Sequence, residues 1–119
     1  MSEFIELRDF LRQFAREREW DQFHSPKNLL MALTGEVGEL CEQFQWLTDD
    51  QVQNLTPEQA IDVADEIADV QIYLIRLADK LGVDIKASVT AKMTKNAKKY
   101  PADLVRGSAK KYDQYVIEE

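Results

Sequence analysis

Two pairs of acidic residues, each spaced three positions apart, are the strongest candidates for chemistry in this sequence. Glu36 and Glu39 form the first pair, and Glu66 and Asp69 form the second. On a helix, residues three apart lie on the same face, with Cβ atoms about 5–6 Å apart. Both pairs lie in strongly apolar stretches, where carboxylates are scarce. If the two helices pack side by side, the four converging carboxylates require a cation, shared protons or solvent.

The ligand types favour a hard divalent cation. All four side chains offer oxygen, and no histidine or cysteine lies at comparable spacing, so Mg²⁺ (or Mn²⁺) suits the set better than Zn²⁺. Neither pair is Glu-x-x-His, the pattern of di-iron bundles. A Mg²⁺ site of this kind can bind substrate phosphates and activate a water nucleophile. Either pair alone is better explained as an exposed charge pair; the presence of both favours a metal.

Length, composition and charge limit the class of protein. The 119 residues suffice for one domain with a hydrophobic core, and we expect a single domain over 1–119. A net charge of −7 argues against nucleic-acid binding. The single cysteine, Cys41, excludes an intrachain disulfide, and no segment resembles a secretory signal or a membrane span. We therefore expect a cytoplasmic protein with no membrane partner.

Apolar periodicity predicts an all-α fold with four helices. They run from about Glu3 to Glu19, from Pro26 to Leu47, from Pro57 to Leu81 and from Asp84 to Tyr100. Ser2, Ser25 and Thr56 are the expected N-caps, the last in a capping box with Gln59. The segment 48–54 is predicted to be a loop.

The third predicted helix is apolar on more than one face. One stripe contains Ile67 and Leu74, and a second, offset by about a quarter turn, contains Ile61 and Ile72. A helix with this pattern in a short chain needs a further surface to cover it. We therefore predict a homo-oligomer. The tail, residues 102–119, has too little periodicity for its order to be predicted.

Aromatic and basic residues form the remaining candidates. Trp20 and His24 lie in an aromatic connection that either covers one end of the helices or lines a pocket. Trp46 falls on the same helical arc as the first acidic pair, and Tyr73 on that of the second. Residues 86–111 are mostly basic, which indicates either a solvated helix face or a phosphate-binding face opposite the acids.

Several motifs in this order resemble the MazG-like, all-α nucleoside triphosphate pyrophosphatase superfamily, and within it the dCTP pyrophosphatase branch. They are WDQFHSPKNLL at 20–30, GEVGEL at 35–40, FQW at 44–46, DEIADV at 65–70 and IYL at 72–74. The resemblance continues through the basic region. It implies Mg²⁺-dependent hydrolysis of a deoxynucleoside triphosphate, with dCTP preferred, to the monophosphate and pyrophosphate. It also implies a four-helix bundle assembled as a tetramer, a dimer of dimers, with sites between subunits.

The same resemblance implies roles for individual residues. Metal ligands and catalytic residues would be Glu36, Glu39, Glu66 and Asp69. Phosphate contacts would come from Lys92, Asn96, Lys99 and Arg106. Base and sugar contacts would come from Trp20, His24, Trp46 and Tyr73. For Trp20 and Tyr73, packing in the core is an equal alternative, and His24 could instead brace its loop.

One position departs from the family pattern. Leu11 stands where the eukaryotic dCTP enzymes carry a histidine, which leaves the preferred base open. The same chemistry on dATP, dUTP, a modified dCTP or phosphoribosyl-ATP is therefore an alternative. A helical bundle that binds a nucleotide or a protein without turnover is another.

Overall fold

The computed structural model describes residues 2–109, which contain six α-helices, one 3-10 turn and no strand. The helices are α1 (Glu3–Glu17), α2 (Pro26–Glu42), α3 (Asp49–Gln53), α4 (Pro57–Lys80), α5 (Ile85–Lys99) and α6 (Ala102–Val105), and the 3-10 turn is Asp21–Phe23. The predicted all-α class is confirmed. The chain divides into two compact units, Met1–Val83 and Asp84–Glu119. The single-domain organisation stays a prediction, and residues 110–119 of the predicted tail lie outside the described residues.

In the first unit, α4 is the central helix, and both α1 and α2 pack against it. The buried apolar side chains come from all three helices: Ala15, Leu29, Val63, Ile75 and Ala78. This packing fixes the relative rotation of α2 and α4, and therefore the directions of their acidic pairs.

The helix starts follow the predicted capping residues. Ser2 Oγ accepts from the N–H of Ile5 at 3.3 Å, and Ser25 Oγ accepts from the N–H of Asn28 at 3.2 Å. Thr56 forms the predicted capping box with its partner at N3, with both reciprocal hydrogen bonds present. These contacts satisfy N–H groups that have no partner within the helix.

Two predicted helix ends were too late. The first helix ends at Glu17 rather than Glu19, because Glu19 adopts a left-handed backbone conformation (φ 53°). The second ends at Glu42 rather than Leu47. After Glu42 the backbone tightens, with N–H groups bonding three residues back, as in Gln43 N–H to the Leu40 carbonyl at 3.1 Å. Trp46 therefore lies in a turn and not on a helical arc.

The segment 48–54 was wrongly predicted as a loop, since it contains α3. Thr48 and Gln51 form a second capping box: Thr48 Oγ1 accepts from the N–H of Gln51 at 3.2 Å, and Gln51 Oε1 accepts from the N–H of Thr48 at 2.9 Å. The capping motif was present in the sequence, but a helix of five residues is too short to show an apolar period.

Among residues 2–109, no helix is both long enough and apolar enough to cross a bilayer.

Candidate metal and nucleotide site

Three of the four predicted metal ligands converge between α2 and α4. Glu36, Glu39 and Glu66 each place a carboxylate oxygen so that all three oxygens lie within 4.8 Å of one another. Glu36 and Glu66 are half-buried and Glu39 is exposed. We call this set the glutamate cluster. Helix packing thus brings together both residues of the first acidic pair and one residue of the second.

Two oxygens of the glutamate cluster have no hydrogen-bond donor. Glu36 Oε2 and Glu66 Oε2 are shielded from solvent, and neither has a partner within the described residues. Burial and, after it, the hydrogen bond with Glu39 and the charge of Glu39 together raise the pKa of Glu36 to about 7. Burial also raises the pKa of Glu66. Buried carboxylate oxygens without donors are unfavourable, so the cluster holds a proton or a cation.

Asp69, the fourth predicted ligand, lies one turn after Glu66 and is half-buried. It is outside the set of oxygens that approach within 4.8 Å. Its negative charge nevertheless contributes to the raised pKa values of Glu36 and Glu66, so it acts on the same site.

The donor set fits a divalent cation with a preference for oxygen. The glutamate cluster offers carboxylate oxygens alone, two of them unsatisfied, and Asp69 adds a fourth negative charge nearby. A cation would lower the cost of holding these charges together and would favour their ionised forms.

Three of the predicted base-contacting residues share one apolar cavity in the first unit. Its volume is about 80 Å³, and its lining includes Trp20, His24 and Tyr73 together with Leu11 and Phe14. The Trp20 and Phe14 rings meet edge to face, with centroids 5.9 Å apart. Leu11 lies at this cavity, where its side chain offers only carbon. We call this space the aromatic cavity.

The glutamate cluster and the aromatic cavity lie along the same side of α4. Glu66, Asp69, Tyr73 and Arg76 recur at intervals of three or four residues, which places them on one helical face. Tyr73 lies seven positions after Glu66, which corresponds to a rise of about 10 Å along the axis of α4. A nucleotide could therefore place its phosphates at the cluster and its base in the cavity.

A network of charged residues borders the aromatic cavity and was missed in the sequence. The buried Arg76 donates to Asp79 Oδ2 at 3.2 Å and to Asp21 Oδ1 at 3.0 Å. Arg12 also pairs with Asp79, and Lys80 Nζ lies 2.6 Å from Asp21 Oδ1. These residues line a pocket of about 340 Å³. The partners of Arg76 are distant in the sequence, and an arginine among the apolar residues of α4 does not by itself indicate such a network.

The pKa values of the network show that its charges are matched. Hydrogen bonds from Lys80 and Arg76 lower the pKa of Asp21. The hydrogen bond from Arg12 likewise lowers the pKa of Asp79. Both carboxylates are therefore ionised and paired, in contrast to the glutamate cluster.

The remaining predicted site residues lie outside the glutamate cluster and the aromatic cavity, or belong to the second unit. Trp46 is 85% exposed and does not line the aromatic cavity. One face of α5 carries Lys92, Asn96 and Lys99. Arg106 follows α6, and its Nη2 lies 3.5 Å from Asp103 Oδ1. Because these four belong to the second unit, their approach to a nucleotide stays a prediction.

Comparison with known proteins identifies the family of this chain. Residues 32–114 match the MazG-like family. The chain is 46% identical to dCTP pyrophosphatase 1 of Homo sapiens over 92% of its own length and 65% of the human protein. It is 47% identical to dCTP pyrophosphatase 1 of Rattus norvegicus, over 90% of this chain and 64% of that protein. The chain thus spans slightly less than two thirds of these relatives.

A solved structure is similar over nearly its whole length. The crystal structure of a pyrophosphatase from Archaeoglobus fulgidus superposes with a TM-score of 0.78 at 40% identity, covering 85% of this chain and 94% of that one. The family match, the sequence identity and the shared structure show that this chain belongs to the MazG-like family.

Proposed function

We propose that this protein is a Mg²⁺-dependent nucleoside triphosphate pyrophosphohydrolase. It hydrolyses a deoxynucleoside triphosphate, preferentially dCTP, with water to give the monophosphate and pyrophosphate. The observation that carries the proposal is the glutamate cluster with its two unsatisfied oxygens, about 10 Å along α4 from an aromatic cavity. The names of the relatives, dCTP pyrophosphatase 1 and a pyrophosphatase, support the same reaction.

In this proposal, the glutamate cluster and Asp69 hold Mg²⁺. The ion, when bound, neutralises phosphate charge and lowers the pKa of a coordinated water. The protein contributes the fixed geometry: α2 and α4 hold the carboxylates together against their mutual repulsion, and the packing of α1 on α4 closes the cavity beside them. Lys92, Asn96, Lys99 and Arg106 would then hold phosphate oxygens.

The aromatic cavity supports a pyrimidine as the base. Trp20 and Tyr73 offer ring faces, and stacking of a base on an aromatic side chain contributes roughly 1–3 kcal/mol. A cavity of about 80 Å³ favours a one-ring base over a purine. Leu11 supports one further substrate, a cytosine that carries an apolar substituent, because its side chain accepts carbon without losing a hydrogen bond.

A homo-oligomer is part of the proposal. On α4, Ile61 is 62% exposed and Ile67 is 53% exposed, and on α2 Met31 is 66% exposed. Apolar side chains exposed to this extent favour a covering surface. We propose a tetramer of four-helix protomers with sites between subunits, an arrangement in which a neighbouring chain would cover Trp46.

Pyrophosphate release from a panel of nucleotides in the presence of Mg²⁺ tests the function. The panel contains dCTP, CTP, dATP, dTTP, dUTP, 5-methyl-dCTP and phosphoribosyl-ATP. We expect the highest kcat/KM for dCTP or its 5-methyl derivative, and no release in EDTA. Faster turnover of dATP or dUTP would overturn the base preference. Binding of nucleotides without any release would overturn the enzymatic function.

A further inference from the structure

Arg76 is the only charged residue among residues 2–109 that is buried, with 3% of its surface exposed. Its guanidinium lines both the aromatic cavity and the charged pocket beside it. Asp79 and Asp21 neutralise it from the charged side. The guanidinium therefore reaches the cavity as a set of fixed hydrogen-bond donors.

The group that receives these donors at the cavity is His24. Arg76 Nε and Nη2 lie 3.4 and 3.2 Å from His24 Nδ1. A guanidinium has donors only, so Nδ1 must accept. A neutral imidazole that accepts at Nδ1 carries its hydrogen on Nε2. Arg76 thus selects one of the two neutral tautomers of His24.

Burial and the neighbouring cations favour the neutral form of the His24 ring. Burial lowers its pKa, the charge of Arg76 lowers it further, and Lys80 acts in the same direction. Among these groups, only Asp21 raises the pKa of His24, through its negative charge. Above pH 7 the ring is therefore an uncharged side chain with a single N–H donor.

The cavity offers a base few other polar contacts. Leu11, Phe14 and Ile72 line it with carbon atoms only. A cytosine or any other pyrimidine presents a C2 carbonyl oxygen, which needs a donor when it is buried. The Nε2–H of His24 is a donor of the required type.

We propose that Arg76 is a positioning residue that fixes His24 as an Nε2–H donor to the C2 carbonyl oxygen of a pyrimidine base in the aromatic cavity. The base contact rests on the proposed function. The selection of the tautomer by Arg76 does not, because it follows from contacts within the protein itself.

The tautomer can be observed directly, because His24 is the only histidine in the chain. Long-range ¹H–¹⁵N correlation spectra of the untagged, ¹⁵N-labelled protein at pH 7.5 report which ring nitrogen carries the hydrogen. We expect the Nε2–H tautomer in the wild-type protein. A predominant Nδ1–H tautomer or a charged ring would overturn the proposal.

The variant Arg76→Met removes the donors. Arg12 remains bound to Asp79 and Lys80 to Asp21, so neither carboxylate loses its last partner. We expect His24 to exchange between both neutral tautomers in this variant. The matched control Lys80→Met removes a cation of the same network without touching His24, and should keep the Nε2–H form. An unchanged tautomer in Arg76→Met would overturn the role of Arg76.

Two substitutions of His24 test the base contact without relying on the folding of Arg76→Met. The side-chain amide of His24→Gln can donate from the position of Nε2, whereas that of His24→Asn reaches only the position of Nδ1. The probes are dCTP and 2-thio-dCTP, in which a weakly accepting sulfur replaces the carbonyl oxygen. We expect wild type and His24→Gln to prefer dCTP by about tenfold in kcat/KM, and His24→Asn to lose this preference.

The outcomes separate the two levels of the proposal. An equal preference for dCTP in His24→Asn and wild type would overturn the base contact while the enzyme remains active. Absence of turnover in the wild-type protein would instead contradict the proposed function. The tautomer spectra decide the role of Arg76 in either case.

Discussion

Two groups of charged residues beside helix α4 differ in how their charges are satisfied. In the glutamate cluster, like charges converge and two buried oxygens have no donor. In the network around Arg76, each carboxylate bonds at least two cations. The charges of the network are matched within the protein, whereas two oxygens of the cluster lack a partner. We therefore propose that incomplete pairing, rather than the density of charge, marks the ligand site.

Removing Asp69 or one carboxylate of the glutamate cluster should have the largest effect, and this effect should fall on activity. For Glu39→Gln or Asp69→Asn we expect kcat/KM to fall on the order of 10²- to 10³-fold, since a proposed metal ligand is lost. In EDTA, the free energy of unfolding should stay equal or rise, because repulsion is relieved. Pyrophosphate release and urea denaturation measure the two quantities.

The matched control for these variants is Glu42→Gln, an exposed glutamate on α2 outside the glutamate cluster. It should retain wild-type activity. Near-normal activity in Glu39→Gln or Asp69→Asn would remove that residue from the metal site, and a large loss in Glu42→Gln would show that the assay reports general damage.

The opposite pattern is expected in the network. Asp79→Asn takes a partner from the buried Arg76 and from Arg12, and should lower the free energy of unfolding by about 3 kcal/mol. Asp62→Asn, an exposed change on the same helix, should have little effect. Urea denaturation in EDTA measures both. Equal stability of the two variants would show that the network does not stabilise the fold.

The smallest expected difference between the glutamate cluster and the network lies in how the free energy of unfolding depends on pH. The folded-state pKa of Glu36 is raised to about 7, so its contribution to stability is full below the ordinary glutamate pKa and is lost as the pH rises through 7. In EDTA, wild type should therefore lose stability between pH 5 and 8 relative to Glu36→Gln.

His24 contributes in the opposite direction over this range, because its pKa is lowered in the folded state. Subtracting the Glu36→Gln curve cancels this contribution, which both proteins share. Added Mg²⁺ should reduce the loss at high pH. Parallel curves for the two proteins in EDTA would contradict the raised pKa of Glu36.

Features set by neighbours in the sequence could be predicted from it. The spacing of Glu36 and Glu39 on one apolar helix, and the position of Glu66 on another, implied that their carboxylates converge once the two helices pack. The caps at Ser25 and Thr56 follow from side chains that reach only three residues along the chain. Local periodicity is sufficient for features of this kind.

Features set by contacts between residues distant in the sequence could not be predicted from it. The hydrogen bond between Arg76 and Asp21 joins residues 55 positions apart, and no local pattern distinguishes Arg76 from a surface arginine. Trp46 was assigned to a helical arc because its residues continue the apolar period of α2, whereas the backbone leaves the helix after Glu42. Where a helix stops depends on the segment that follows, here the separate cap of α3.

We propose that the glutamate cluster holds the divalent cation. Isothermal titration calorimetry with Mg²⁺, on wild type and on Glu36→Gln and Glu66→Gln, measures whether it does. We expect wild type to bind Mg²⁺ with release of protons at pH 7, and both variants to lose that binding. Binding of equal affinity in all three proteins would contradict it.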